Sequence, residues 1–157
     1  MGMKANLEAI WLAKRTKTWR PPALYAVADT PFDLFTIAGG PIKIHALTCY
    51  LEEAITTAVT WHFLCGAVLL DAALFAAIGN PDETVAVPLD IGAALIPPAE
   101  GSPSPSILAA AFNVEGIVVA PDVITMALGG AADIDGLTSF CLEWSRLSPA
   151  VSVVPSP

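Results

Sequence analysis

The sequence is poor in charged residues and has no paired cysteine motif. Only 14% of its 157 residues are charged, against about 25% in an ordinary globular domain, while 55% are hydrophobic. The cysteines are odd in number and no two have C-x-x-C spacing, which argues against a disulfide framework. We therefore predict reduced, buried thiols in a protein made in a cytoplasm; the three are Cys49, Cys65 and Cys141.

An uninterrupted apolar run long enough to cross a bilayer is also missing. Residues 61–78 come nearest, but they contain His62 and Asp71, and an Asp at mid-bilayer costs about 2.5–3.5 kcal/mol. We expect two strands joined near Asp71 in place of a membrane helix. The N-terminus has no apolar segment before its cations end, so we predict neither a secretory signal nor a membrane partner.

Basic residues are few and are concentrated at one end. Residues 1–22 carry five basic residues and one acidic one, whereas residues 23–157 carry two and fourteen, so a segment of charge +4 precedes a body of charge −12. An acidic body repels phosphate groups, and we predict no nucleic-acid partner.

The clearest structural signal lies in residues 36–53. Gly39-Gly40-Pro41 predicts a turn, because the glycines tolerate positive φ and proline cannot donate to a ladder. Residues 42–51 then predict a strand, with Ile42, Ile44, Ala46, Thr48 and Tyr50 on one face and Lys43, His45, Leu47, Cys49 and Leu51 on the other. Its second half is apolar on both faces, which predicts that another subunit covers the outer face.

Short alternating runs separated by turn residues continue along the chain. Residues 56–66 and 137–147 alternate most clearly, Pro121-Asp122 separates two β-branched runs, and residues 97–105 read as a proline-rich exposed loop. Eight to ten short strands predict an all-β protein, an antiparallel jelly-roll-like sandwich over residues 23–157 preceded by a basic N-terminal arm over residues 1–22.

Residues 3–16 of this arm have the spacing of a short amphipathic helix, which Pro21-Pro22 would stop. Two readings are open: a frayed terminus, or an arm that packs on an acidic neighbouring subunit. On the second reading, the partner-binding residues are Trp11, Lys14, Arg15, Lys17, Trp19 and Arg20.

Candidate catalytic groups are sparse. His45 and His62 are the only histidines, and two are too few for a cupin-like metal site. The simpler interpretation is that both are partly exposed residues on strands. Cys49 is four residues from His45, about 13 Å along a strand, so a thiol–imidazole pair within that strand is excluded.

The acidic clusters are interpreted in the same way. Asp133 to Gly136 resembles part of a calcium loop, but the twelfth position is Trp144 and not an acid, so a turn is the better reading. Glu52-Glu53 and Asp82-Glu83 read as solvated loop ends. With no nucleotide or hydrolase motif present, we predict that the protein is not an enzyme and has no catalytic, cofactor-binding or metal-binding residues.

Two segments resemble a group of small virion proteins of tailed bacteriophages. They are TIAGGPIKI within the F-T-I-x-G-G-P pattern at residues 35–41, and APDVITMAL followed by LTSFCLEWSRLSPAVSV. The resemblance covers residues 32–154, over which these features follow one another in the same order. It implies a β-sandwich subunit on the capsid exterior, similar to trimeric cement or decoration proteins, with the major capsid protein and its own copies as partners.

The function expected from this resemblance is a capsid cement or decoration subunit without catalysis. The first alternative is a tail-tip or fibre receptor-binding domain, for which residues 97–105 would form the tip. A cupin-like metal enzyme is the remaining alternative. Copy number per particle separates the first two, and metal analysis tests the third.

Overall fold

The computed structural model describes residues 14–26, 31–53, 55, 59–71, 74–75, 84–87, 116–129 and 133–157. Among these residues, the prediction of an all-β antiparallel sandwich is confirmed. The jelly-roll subclass and the N-terminal arm stay predictions. The described strands are β1 Arg15–Tyr25, β2 Phe32–Ala38, β3 Ile42–Leu51, β4 Val59–Cys65, β5 Val68–Asp71, β6 Leu74–Phe75, β7 Thr84–Val87, β8 Ile117–Val119, β9 Val123–Gly129, β10 Ile134–Arg146 and β11 Ser152–Pro155.

These strands form two antiparallel sheets. Sheet A has the order β1-β10-β3, with β7 and β8 both paired to the far side of β3. Sheet B has the order β11-β2-β9-β4, with β5 and β6 both paired to β4. No helix among the described residues has the length and apolarity needed to cross a membrane.

The core lies between the sheets and is built largely of aliphatic and aromatic side chains. Phe63 of sheet B meets Phe140 of sheet A edge to face, with 6.0 Å between ring centroids. Near one edge, Tyr25 of β1 meets Phe32 of β2 in the same geometry at 4.9 Å. Edge-to-face pairs of this kind join the two layers, in addition to the apolar area that they bury.

The predicted strand–turn–strand unit at residues 32–51 is confirmed. Gly39 and Gly40 have φ values of 81° and 154°, a region that side chains with a Cβ rarely adopt. The turn also lies directly against the C-terminal segment, because the Leu147 amide donates to the Pro41 carbonyl at 3.2 Å. The turn therefore fixes the chain that follows β10 as well as the entry to β3.

Strand β3 contains a β-bulge at His45. In its pairing with β10, Ile44 faces Trp144 and Ala46 faces Glu143, so His45 is the extra residue. The bulge exchanges the two faces of the strand, and the alternation predicted beyond Ile44 is wrong. The core receives Ile42 and Ile44 before the bulge and Leu47, Cys49 and Leu51 after it.

This bulge removes the reason for expecting a cover on β3. Beyond the bulge, the residues on the outer side of β3 are Ala46, Thr48 and Tyr50, all of them half-buried. Thr48 is polar and Tyr50 is amphipathic. The strand is thus not apolar on both faces, and its sequence alone no longer argues for a covering subunit.

Pro121-Asp122, which separates the two β-branched runs, is the point where the chain changes sheets. Strand β8 pairs with β3 in sheet A, and β9 begins at Val123 in sheet B. The Asp122 carbonyl accepts from the Ile37 amide at 2.9 Å, and the Val123 carbonyl accepts from the Gly66 amide at 3.2 Å. The crossing is therefore held by two neighbouring strands of sheet B.

Two other boundaries differ from the predictions. The chain turns between β4 and β5 at Gly66-Ala67, not near Asp71, and Gly66 has a φ of 57° that suits this turn. Strand β10 begins at Ile134, within the Asp133–Gly136 segment expected to be a turn. The predictions for residues 1–13, for Asp82-Glu83 and for the proline-rich loop at 97–105 lie outside the described residues.

Strand β1 includes most of the predicted arm that the structure describes. Residues 15–22 belong to β1, which pairs with β10, so the division proposed at residue 22 falls within a strand. A register shift separates Arg20 from Ala23, at Pro21-Pro22. Proline is tolerated there because β1 has no strand on its other side in sheet A among the described strands, so no neighbour needs its missing N–H.

Candidate binding surface

The outer face of sheet A carries a trough that runs along β10 between β1 and β3. We call it the β10 trough, and its floor is formed by Ser139, Cys141 and Ser145. They alternate with the core residues of β10, yet they are only 6%, 5% and 4% exposed. Their side chains are short. Trp19 and Tyr50 flank the Ser139–Cys141 end, and Arg15 and Lys43 flank Ser145, so the outer face is lowered at these two ends, with Glu143 between them.

One end of the β10 trough is aromatic. It is an open depression of about 460 Å³. Trp19 is 58% exposed there, and a contiguous exposed apolar patch rimmed by polar residues is typical of an interaction site. The lining residues are Trp19, Arg20, Pro21, Pro22, Tyr50, Glu52 and Ser139.

The other end of the β10 trough is cationic. Arg15 forms an ion pair with Glu143 at 2.9 Å, and Lys17 and Lys43 add two further positive charges on either side of β10. Among the described residues, these three cations lie beside one carboxylate at this end, although the whole chain has a net charge of −8. This end of the trough is thus a local positive region on an acidic protein.

His45 lies in this cationic end. Its Nε2 is 2.9 Å from the Ser145 Oγ. Partial burial, followed by the charges of Arg15 and Lys43, lowers the pKa of His45. The imidazole is therefore held in its neutral form at neutral pH. A histidine hydrogen-bonded to a serine also occurs in hydrolases, but no carboxylate among the described residues is hydrogen-bonded to the His45 ring.

The predicted partner-binding residues are separated by the strand geometry. Alternation along β1 places Arg15, Lys17 and Trp19 together on the outer face. Arg20 points the other way: its Nε donates to the Tyr25 hydroxyl at 3.1 Å and its Nη1 donates to the Ser156 carbonyl. Lys14 is exposed next to β1, and Trp11 lies outside the described residues.

The histidines and cysteines do not form a reactive cluster among the described residues. No group of three or more His, Cys, Asp or Glu side chains there could hold a metal ion. All three thiols are free and buried, and burial raises the pKa of each, that of Cys65 to about 11. A thiolate nucleophile is disfavoured at these positions.

The sequence analysis missed several residues of the β10 trough. The alternation over residues 137–147 predicts strand β10, but it assigns no role to the small residues on the outward face. Their significance depends on which strands flank β10, and those strands are far away in sequence. The missed residues are Lys43, Tyr50, Ser139, Glu143 and Ser145.

Comparison of the chain with protein-family models, with curated proteins and with solved structures returns no match.

Proposed function

We propose that this protein is a structural virion subunit, a cement or decoration protein that binds the outer surface of a phage head through its β10 trough. The observation that carries the proposal is the trough itself, with an exposed indole and two lysines, Lys17 and Lys43, that have no carboxylate within 4.0 Å among the described residues, on a chain of net charge −8. The resemblance of residues 32–154 to phage virion proteins supports the virion assignment.

The proposed mechanism is binding without chemistry. A rigid two-sheet sandwich presents the trough on its central strands, where binding needs little reorganisation of the backbone. Many copies bound at equivalent sites stabilise a shell by mass action, because each copy binds the assembled form and not its separated subunits. The charges at the rim increase the association rate and make it sensitive to salt.

The test is to count copies of the chain in virions of the phage that encodes it. Quantitative mass spectrometry against the major capsid protein gives the number directly. Hundreds of copies per particle support a cement role, a handful support a tail tip or fibre, and absence from the particle contradicts a virion role altogether.

A second assay addresses the surface. Purified chain is added to particles lacking it, with the variants Trp19→Ala and Lys17→Glu beside Leu24→Ala. Leu24 is also on β1 and is 63% exposed, but it does not line the aromatic end of the trough. We expect the first two variants to lose binding at least tenfold and the third to bind like the unmodified chain. Equal binding by all of them would place the contact elsewhere.

A further inference from the structure

We infer that the β10 trough binds an extended segment of a partner protein in which a proline and an acidic residue are two positions apart. The inference rests on the proposed function, since it uses the same surface, and it adds the chemistry of the segment that the partner contributes.

The dimensions of the trough suit an extended chain. Strands β1 and β3 flank β10, so the walls are two strand spacings apart, roughly 9.5 Å. Ser139 and Cys141 keep the floor low at the aromatic end, and beyond them Glu143 lies on the same face with its carboxylate paired to Arg15. A strand or polyproline II segment fits such a channel lengthwise, whereas a helix about 10–12 Å in diameter does not.

The aromatic end favours proline. Trp19 and Tyr50 stand on opposite walls with Pro21 and Pro22 beside them, and aromatic-lined grooves recognise polyproline II segments because these are already extended before binding. The Trp19 indole N–H forms no hydrogen bond to another described residue. It can therefore donate to a carbonyl of the bound segment.

A sugar is less well matched to this end. Carbohydrate hydroxyls require several fixed donors and acceptors, whereas the polar groups at this end are the Trp19 indole, the Tyr50 hydroxyl and the residues Arg20, Glu52 and Ser139. The Arg20 guanidinium already donates to the Tyr25 hydroxyl and to the Ser156 carbonyl. A proline-containing peptide needs few such partners, so it fits the lining better.

The cationic end favours an acidic residue at a defined distance from the proline. Neither Lys17 nor Lys43 has a carboxylate within 4.0 Å among the described residues, whereas Arg15 is paired with Glu143. Lys17 precedes Trp19 by two residues on the same face, about 6.6 Å along the strand. Two residues of a polyproline II segment span about 6.2 Å, so a carboxylate two positions from the docked proline reaches Lys17.

The test uses three blocked synthetic peptides with the full-length chain: PPEPPEPP, its neutral analogue PPQPPQPP and its proline-free analogue AAEAAEAA. Binding is followed by chemical-shift changes of the Trp19 indole N–H and by isothermal calorimetry at low salt. We expect PPEPPEPP to bind at least fivefold more tightly than either analogue, and its advantage over PPQPPQPP to disappear at high salt.

Variants locate the binding. Trp19→Ala should weaken binding of PPEPPEPP at least tenfold, and Lys17→Gln should reduce its affinity to that of the neutral analogue. Leu24→Ala should change neither value. Because these side chains are exposed, the variants are expected to keep the same unfolding midpoint. Equal affinity for the three peptides, or unchanged binding by Trp19→Ala, overturns the inference.

A fourth peptide tests whether the partner is another copy of this chain. Residues 97–105 contain four prolines and Glu100. If that peptide binds more tightly than PPEPPEPP, the occupant is this protein and the assignment to a different partner is overturned. If it binds no better, the assignment stands.

The outcomes also separate the inference from the proposed function. Peptide binding by a chain that is absent from virions supports the inference and contradicts the function. A chain present in hundreds of copies that has equal affinity for the three peptides supports the virion role and contradicts the inference.

Discussion

At the scale of single residues, the alternation of side chains along β1 decides which of its cations faces outward and which one packs against the rest of the fold. Lys17 and Arg20 lie in the same basic segment, but Lys17 is on the outer face of β1 and Arg20 is turned toward Tyr25 and the C-terminal residues. The Tyr25 ring also lies 5.9 Å from the guanidinium carbon. Arg20 thus joins β1 to the segment after β11 and stabilises the fold, whereas Lys17 is available to a partner.

Replacing Arg20 tests this division. Arg20→Met removes charged hydrogen bonds to the Tyr25 hydroxyl and to the Ser156 carbonyl, and Ser156 is buried. We expect the free energy of unfolding to fall by about 2 kcal/mol, since one hydrogen bond to a charged group contributes about 1.5–3 kcal/mol. Urea unfolding followed by tryptophan fluorescence measures the change.

The matched control is Lys17→Met, an exposed cation on the same strand. Its unfolding free energy should stay within about 0.5 kcal/mol of the unmodified chain. Equal effects of the two substitutions would mean that Arg20 has no special structural role.

His45 predicts a pH dependence of stability. Its pKa in the folded chain is lowered by burial and by Arg15 and Lys43, so the unfolded chain binds a proton more readily. Stability associated with this group is fully present above the unfolded pKa of about 6.5 and falls as pH decreases through and below that value.

The variant His45→Gln isolates this effect. When the pH is lowered from 7.5 to 5.5, we expect the unmodified chain to lose more unfolding free energy than the variant. A difference that is constant with pH would show that His45 titrates alike in both states. Urea titrations at several pH values measure it, and NMR titration of the ring gives the folded pKa.

At the scale of elements, tight turns and irregular strands position the surface. The bulge at His45 directs Tyr50 to the outer side of sheet A, where it forms a wall of the trough. The prolines of β1 occupy an edge, where they leave pairing with β10 largely intact and form part of the lining. These two irregularities therefore shape the candidate binding surface.

The turn at Gly39 gives an element-scale prediction. A Cβ at Gly39 would lie 2.1 Å from the Ala150 carbonyl oxygen, and the residue has positive φ. Because the clash is with backbone, Gly39→Ala should lower the free energy of unfolding by about 3 kcal/mol or more. Chemical denaturation of the purified variant checks this.

Gly66 provides the comparison. It also has positive φ, but a Cβ there would meet the Asp122 carboxylate, a side-chain group that can move aside. Gly66→Ala should lower the free energy of unfolding by only about 1–2 kcal/mol, which is the cost of placing a side chain in the left-handed backbone conformation. If Gly66→Ala proves the more damaging change, the contact between the Gly39 turn and the C-terminal segment does not constrain the fold.

At the scale of the whole molecule, the composition still favours association. A chain with 55% hydrophobic and 14% charged residues has little charge to keep its surface hydrated. The bulge removes the argument based on β3, but large apolar side chains are exposed on several strands and directly after β10. They are Trp19, Leu24, Val68, Val118, Leu147 and Val154.

We accordingly propose a homo-oligomer, with a trimer expected from the resemblance to decoration proteins. Sedimentation equilibrium over a hundredfold range of concentration should give a mass that is a multiple of 16.3 kDa. A mass of 16.3 kDa at every concentration would contradict self-association. It would leave binding to a different partner open to the particle assay.

The sequence by itself determined the class of fold and many of its boundaries. The turn at Gly39-Gly40-Pro41, the break between strands at Pro121-Asp122 and the strand character of residues 137–146 follow from local causes: allowed φ, missing donors and alternating polarity. Such causes act within a few residues and can be read from the chain directly.

Only the tertiary structure decided which faces are inside and which residues form a surface. The bulge at His45 appears only when β3 is aligned with β10, and the opposite orientations of Lys17 and Arg20 depend on the strands beside β1. The β10 trough joins residues around 19, 50 and 139. Pairing between distant strands brings them together, and no local preference in the sequence specifies that pairing.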